Sequence, residues 1–133
     1  MAIDIVKNKN RPAHVLLVDD NNGDIILTKH ALKSAKTSIL LDVATSGEVA
    51  MAKLLKKDGF IDAVTPDLIL LDLNLPRMDG HQILNLIKNE DNIKHIPVII
   101  LSGSRLDRDV VKSYDSHANC FLQKPFSLKA LKN

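Results

Sequence analysis

A single cysteine, Cys120, stands among 133 residues, which excludes an internal disulfide framework and suits a reducing compartment. The expected location is the cytoplasm. Tryptophan is absent, and Phe60, Tyr114, Phe121 and Phe126 are the only aromatic residues, too few for a base-stacking surface. No uninterrupted apolar run approaches the roughly 20 residues of a membrane span. The opening "MAIDIVKNKNRP" lacks the basic start and long apolar core of a secretory signal. Neither sign of charge dominates either: 18 basic and 16 acidic residues leave +2, with Lys7, Lys9 and Arg11 as the only basic cluster near an end. That is a poor footprint for nucleic acid. No repeat or low-complexity tract appears. A chain of this length reads as one domain that buries roughly two-thirds of its unfolded surface without metal or disulfide staples.

What is present is an alternation of short apolar runs with helical patterns. The runs are His14 to Val18, Ile39 to Val43, Leu68 to Leu71, Val98 to Leu101 and, more weakly, Cys120 to Leu122, and they read as five strands. Between them Ile25/Ala31/Leu32, Val49/Leu54/Leu55, Ile83/Leu84/Ile87 and Leu106/Val110/Tyr114 recur at helical spacing. Thr45 with Glu48 and Asp79 with Gln82 have capping-box spacing, and Ser104 precedes the fourth helical pattern. Runs that are apolar at nearly every position suit strands covered on both faces, as in a parallel sheet flanked by helices. The expected fold is α/β: a doubly wound (βα)5 unit with a five-stranded parallel sheet.

Handedness then locates a site. Crossovers are almost always right-handed, so helices cover both faces only if the chain reverses its direction across the sheet. Strand order 2-1-3-4-5 achieves this, and its ligand crevice lies at the carboxyl ends of strands 1 and 3. Asp19 and Asp20 end the first strand, Asp72 the third and Ser102 the fourth, while Lys124 follows the fifth. Three carboxylates, a hydroxyl and an ammonium are expected at one mouth. Any one of them fits a cap or a surface charge; all five together fit that explanation poorly.

Clustered carboxylates repel and are costly to leave charged without a partner. A divalent cation relieves that, and a set of oxygen ligands without thiolate or imidazole favours a hard ion, with Mg2+ the first choice. With charge drawn from the site, Asp72 can attack an activated phosphoryl group as a carboxylate nucleophile. Lys124 and Ser102 can then bind the phosphoryl oxygens.

The segments "LLVDDN", "LILLDLNLPRMDG", "VIILSGS" and "FLQKPF", in this order and spacing, resemble the receiver domain of two-component response regulators from about His14 to Lys132. The resemblance implies a flavodoxin-like receiver fold over 14–133 after an N-terminal tail of residues 1–13. It implies Asp72 as phosphoacceptor, Asp19 and Asp20 as the acidic pair, and the backbone carbonyl of Asn74 as a further Mg2+ ligand. Ser102 would be the switch hydroxyl, Phe121 the switch aromatic and Lys124 the phosphate-contacting lysine. The implied function is a switch, catalytic only toward itself, that takes a phosphoryl group from a sensor histidine kinase or a histidine phosphotransfer protein and alters partner binding or self-association. A homodimer through the fourth helix, fifth strand and fifth helix belongs to the same expectation. "DDNNGDIILTKHALK" and "YDSHANCFLQKPF" look closer to the small stand-alone receivers paired with phytochrome-type histidine kinases.

Ser102, Gly103 and Phe121 stand where threonine, alanine and tyrosine are commoner in receivers. Residues 127–133 leave roughly 10 Å of fifth helix, which reads as a truncated chain, a domain cut from a longer protein or a short last helix. The histidines His14, His30, His81, His95 and His117 form no zinc-binding pair on one helix, and Cys120 reads as a small buried hydrophobe. Asp24, Asp79 and Asp107 read as caps or first-turn acids. A haloacid-dehalogenase-type phosphatase would want a second acid two residues after the nucleophile, where this chain has Asn74.

Overall fold

Strands and helices alternate along the computed structural model, which describes residues 12–33, 38–73, 75, 77–78, 80–102 and 120–123. In chain order they are β1 (Ala13–Val18), α1 (Asn22–Leu32), β2 (Ile39–Ala44), α2 (Gly47–Leu55), β3 (Leu68–Asp72), α3 (Gly80–Lys88), β4 (Val98–Ser102) and β5 (Cys120–Gln123). All pairings are parallel and the strand order is β2-β1-β3-β4-β5, the expected one, which supplies the reversal that right-handed crossovers need to cover both faces. Val18 lies opposite Leu71, and Asp72 opposite Leu101.

The apolar runs work because their side chains alternate between two cores. Leu16, Val18, Ile69, Leu71, Val98 and Ile100 share a buried cluster with Ala50, Met51 and Leu54 of α2 and Ile83, Leu84 and Ile87 of α3. Val15, Leu17, Leu68, Leu70, Ile99 and Leu101 form the opposite cluster with Ile25 and Leu32 of α1. Each fully buried aliphatic side chain contributes about 1.5–3 kcal/mol, so β3, buried at all five positions, is held from both sides. β2 departs from the expectation of cover on both faces. It is an edge strand, and Leu40 is 51% exposed, because neighbouring strand and helix reach it from one side only.

Helix starts also differ in detail. The cap of α2 is Ser46, not Thr45: Ser46 is extended (φ −149°, ψ 162°) and its hydroxyl accepts the Val49 N–H at 3.1 Å. The box with Glu48 is therefore not made, since the third helical position belongs to Val49. Helix α2 ends on Lys56 in the left-handed region (φ 57°), where the Lys57 N–H reaches Ala52 O at 3.0 Å and closes the last turn. Asp24 lies in the first turn of α1, as read from the sequence. Asp79, Ser104, the fourth helical pattern with Asp107 and Tyr114, His117 and the fifth helix lie outside the described residues.

Candidate functional site at the carboxyl end of the sheet

The reversal in strand order sets the ends of β1 and β3 side by side, and each ends on acid. Asp19 follows β1 and extends its pairing by one residue, its N–H donating to Ala44 O at 3.0 Å. The Asp19 carboxylate is buried and accepts the Asn21 N–H at 3.0 Å. Asn21 in turn caps α1, its side-chain oxygen accepting the Asp24 N–H at 2.9 Å. Successive local hydrogen bonds thus fix the turn "DDNNGD" and start α1 beside the acids, where the positive end of the helix dipole favours negative charge. Asp20 lies between them and is exposed.

Asp72 is the last residue of β3 and only 4% exposed. The next residue is pinned through both of its backbone polar groups: the Leu73 N–H donates to Leu101 O at 3.0 Å, and Leu73 O accepts the Gly80 N–H at 2.9 Å. Gly80 has to be glycine for this approach, because a Cβ there would lie 2.8 Å from the Leu73 Cα and 3.0 Å from Asp72 O. Gly47, first in α2, is packed as closely, with the Ile83 Cδ1 2.8 Å and the Met78 Sδ 3.0 Å from the position of a Cβ. The start of α3 is therefore seated against the backbone of the acid-bearing strand.

One carboxylate oxygen from each of Asp19, Asp20 and Asp72 lies within 4.8 Å of the others. Ligand oxygens around a six-coordinate Mg2+ at 2.0–2.1 Å are separated by about 2.9 Å at neighbouring corners and about 4.2 Å at opposite ones, so small rotations bring the three into range. Among the described residues this is the only grouping of three or more acidic, histidine or cysteine ligands of that kind, and no imidazole belongs to it. Two carboxylates buried on strand ends and one at the mouth, all oxygen donors, fit a hard divalent cation.

The remaining expected residues are placed in part. Ser102 ends β4, one residue past the partner of Asp72 and opposite Gln123, so its backbone lies at the same edge of the sheet. Phe121 lies on β5 opposite Ile100, and Cys120 opens that strand. Lys124 and Asn74 lie outside the described residues. The sequence reading missed Asn21 and Gly80. Asn21-x-x-Asp24 carries the spacing of an N-cap followed by a first-turn acid, whereas the need for glycine at position 80 arises from a contact between elements that no local pattern displays.

The family model of the response regulator receiver domain matches residues 15–133. The chain belongs to that family. Response regulator Rcp1 of Synechocystis sp. is 40% identical over 122 residues, which cover 92% of this chain and 83% of Rcp1. The solved Mn2+-bound form of response regulator Rcp1 superposes with a TM-score of 0.78 over 90% of this chain and 86% of that one, at 40% identity. The phosphorylated cyanobacterial phytochrome response regulator RcpA gives 0.79, at 40% identity over 91% and 86% of the two chains. The bacteriophytochrome response regulator AtBRR gives 0.83, at 35% identity over 90% and 86%. The protein is thus an α/β receiver domain of two-component signalling. Among the described residues no helix is long and apolar enough to cross a membrane.

Proposed function

We propose that this receiver accepts a phosphoryl group on Asp72 from a histidine kinase or a histidine phosphotransfer protein and uses the modified state to change its partner binding or self-association. One observation carries the reading: the buried Asp72 ends its strand with Asp19 and Asp20 so close that three carboxylate oxygens lie within 4.8 Å. The Mn2+-bound form of Rcp1 and the phosphorylated form of RcpA support it by likeness.

Asp19, Asp20 and Asp72, with the backbone carbonyl of Asn74, would hold the cation, for which Mg2+ is our choice. When bound, it supplies positive charge against the phosphoryl oxygens. A carboxylate oxygen of Asp72 attacks phosphorus; the phosphorus–nitrogen bond to the donor histidine breaks, the nitrogen keeps the bonding pair, and an acyl phosphate remains on Asp72. Asp19, buried and held by the Asn21 N–H, fixes one side of the site, and exposed Asp20 adapts at its mouth. Lys124 and Ser102 are assigned to the phosphoryl oxygens. Movement of Ser102 toward them leaves room for Phe121 to turn inward, which alters the surface offered by β5 and its neighbouring helices, including a homodimer face built on the fourth helix, β5 and the fifth helix.

The same reading makes residues 1–13 a tail and 14–133 the receiver, places the protein in the cytoplasm, pairs it with a sensor kinase of the phytochrome type, and limits its catalysis to its own phosphorylation and dephosphorylation. Incubation with Mg2+ and a small acyl phosphate tests it. Intact mass should rise by one hydroxylamine-labile phosphoryl group, and Asp72→Asn should abolish that gain while leaving the circular dichroism spectrum unchanged. Equal labelling of Asp72→Asn would remove Asp72 from the role.

A further inference from the structure

Asn21 uses three of its polar groups at once. Its N–H donates to the Asp19 Oδ1 at 3.0 Å, its side-chain oxygen accepts the Asp24 N–H at 2.9 Å, and its carbonyl accepts the Ile25 N–H at 3.0 Å. The first bond belongs to the acidic cluster, and the other two start α1. All three are made with residue 21 in the extended conformation of a helix cap (φ −94°, ψ 114°), which a residue inside a helix does not adopt. The choice of cap residue and the hold on the Asp19 carboxylate are therefore one structural event.

The chain carries a competing choice. Asn22 follows directly and is as competent a cap by type, with Ile25 at the same spacing ahead of it as Asp24 is from Asn21. A helix begun one residue later, from Asn22, would release residue 21 from its extended conformation and take the donor away from Asp19. Asp20 would move with it, because its backbone runs between Asp19, whose N–H is tied to Ala44 O at 3.0 Å, and Asn21. Capping at Asn21 thus sets two of the three carboxylates whose oxygens lie within 4.8 Å. Gly23 assists: a Cβ there would lie 3.2 Å from the Asn21 Oδ1, closer than ordinary contact, so the missing side chain leaves the cap oxygen its seat.

We propose that Asn21 is a positioning residue for the cation site: by taking the cap of α1 it presents its own N–H to Asp19 and holds Asp19 and Asp20 in place for the ion. The inference rests on the reading of Asp19, Asp20 and Asp72 as that site. It links the start of α1 to ion binding, so that each favours the other by the same factor. The strength of the cap bounds that factor, at about fivefold for a cap of typical strength.

Amide hydrogen exchange in a chelator and calorimetric titration with Mg2+, both on the full chain, test the proposal. In metal-free Asn21→Ala the amide of residue 21 should lose protection relative to its intrinsic exchange rate, because its bond to Asp19 loosens. A cap with a structural role alone would expose the Asp24 amide and leave that of residue 21 as it was. Mg2+ affinity should fall about three- to fivefold in Asn21→Ala and return in Asn21→Ser, whose hydroxyl also caps. It should stay native in Ser46→Ala, which removes the corresponding cap of α2 at a comparable cost in stability. Unaltered protection at residue 21, native Mg2+ affinity in Asn21→Ala, or an equal loss of affinity in Ser46→Ala would overturn the proposal. A native protein that binds no Mg2+ would overturn the cation site and the proposal with it, an outcome told apart from the others by the flat native titration.

Discussion

Removing Asp20 should stabilise the metal-free protein. Its carboxylate oxygen lies within 4.8 Å of one on Asp19 and one on Asp72, so that separation gives the weakest repulsion the geometry allows. At 4.8 Å two unit charges repel by about 0.9 kcal/mol in a water-like medium and about 3.5 kcal/mol at an effective dielectric of 20. Asp20 is exposed, which places it near the first limit, so two such pairs amount to about 2 kcal/mol. At 0.1 M salt the separation is about half a Debye length, so screening removes roughly two-fifths of this and leaves about 1 kcal/mol. The Asp20 side chain makes no cap on α1; that role belongs to Asn21, so Asp20→Ala removes repulsion without removing a helix stop. Urea unfolding in the presence of a chelator should move to a higher midpoint by the equivalent of about 1–2 kcal/mol, or about 4–8 °C in Tm for a domain of this size. Added Mg2+ should stabilise the native protein strongly and Asp20→Ala little, closing the gap. Asp20→Asn, of equal size, should behave as Asp20→Ala does. A chelator-treated Asp20→Ala that is less stable than the native chain would refute the electrostatic reasoning and make the side chain structural.

Gly80→Ala should destabilise by about 1–3 kcal/mol and slow acyl-phosphate labelling, because its Cβ meets the backbone of Leu73 and Asp72 rather than a movable side-chain end; chemical unfolding and labelling rates report the two effects, and labelling at the native rate would argue that the Asp72 backbone tolerates the shift. Lys88→Met should cost about 1–2 kcal/mol by leaving Lys94 O and Ile96 O, each 3.0 Å from the Lys88 ammonium, without that donor. Burial lowers the Lys88 pKa below 10.5, so the unfolded chain binds more protons in the window between the lowered value and 10.5. The native protein should therefore gain stability relative to Lys88→Met as pH rises through that window; the neutral amine still has two N–H groups for the two carbonyls. A difference that falls over the same range would reverse the assignment. Ser102→Ala should still take up a phosphoryl group on Asp72 but lose most of the change in self-association that follows, as sedimentation before and after labelling would reveal.

Local chemistry alone carried the reading a long way. Short runs that are apolar at nearly every position suit strands of a parallel sheet flanked by helices, and right-handed crossovers call for a reversal that the order 2-1-3-4-5 supplies; the observed order is that one. Because the order sets β1 beside β3, the convergence of Asp19, Asp20 and Asp72 was implicit in their positions after apolar runs. Tertiary structure decided what depends on neighbours distant in sequence. Leu40 and Leu70 belong to similar apolar runs, yet one is half exposed on an edge and the other buried at the centre, since burial depends on what packs alongside. Thr45 and Ser46 are both competent caps, and the extended backbone at Ser46 (φ −149°, ψ 162°) selects the second. Gly80 reads as an ordinary turn glycine until β3 and α3 are brought together, when the 2.8 Å between its absent Cβ and the Leu73 Cα shows why no side chain fits. The sequence carries the chemistry of each residue and its place along the chain; separations across the fold, and with them the 4.8 Å acidic cluster, exist only once the sheet has formed.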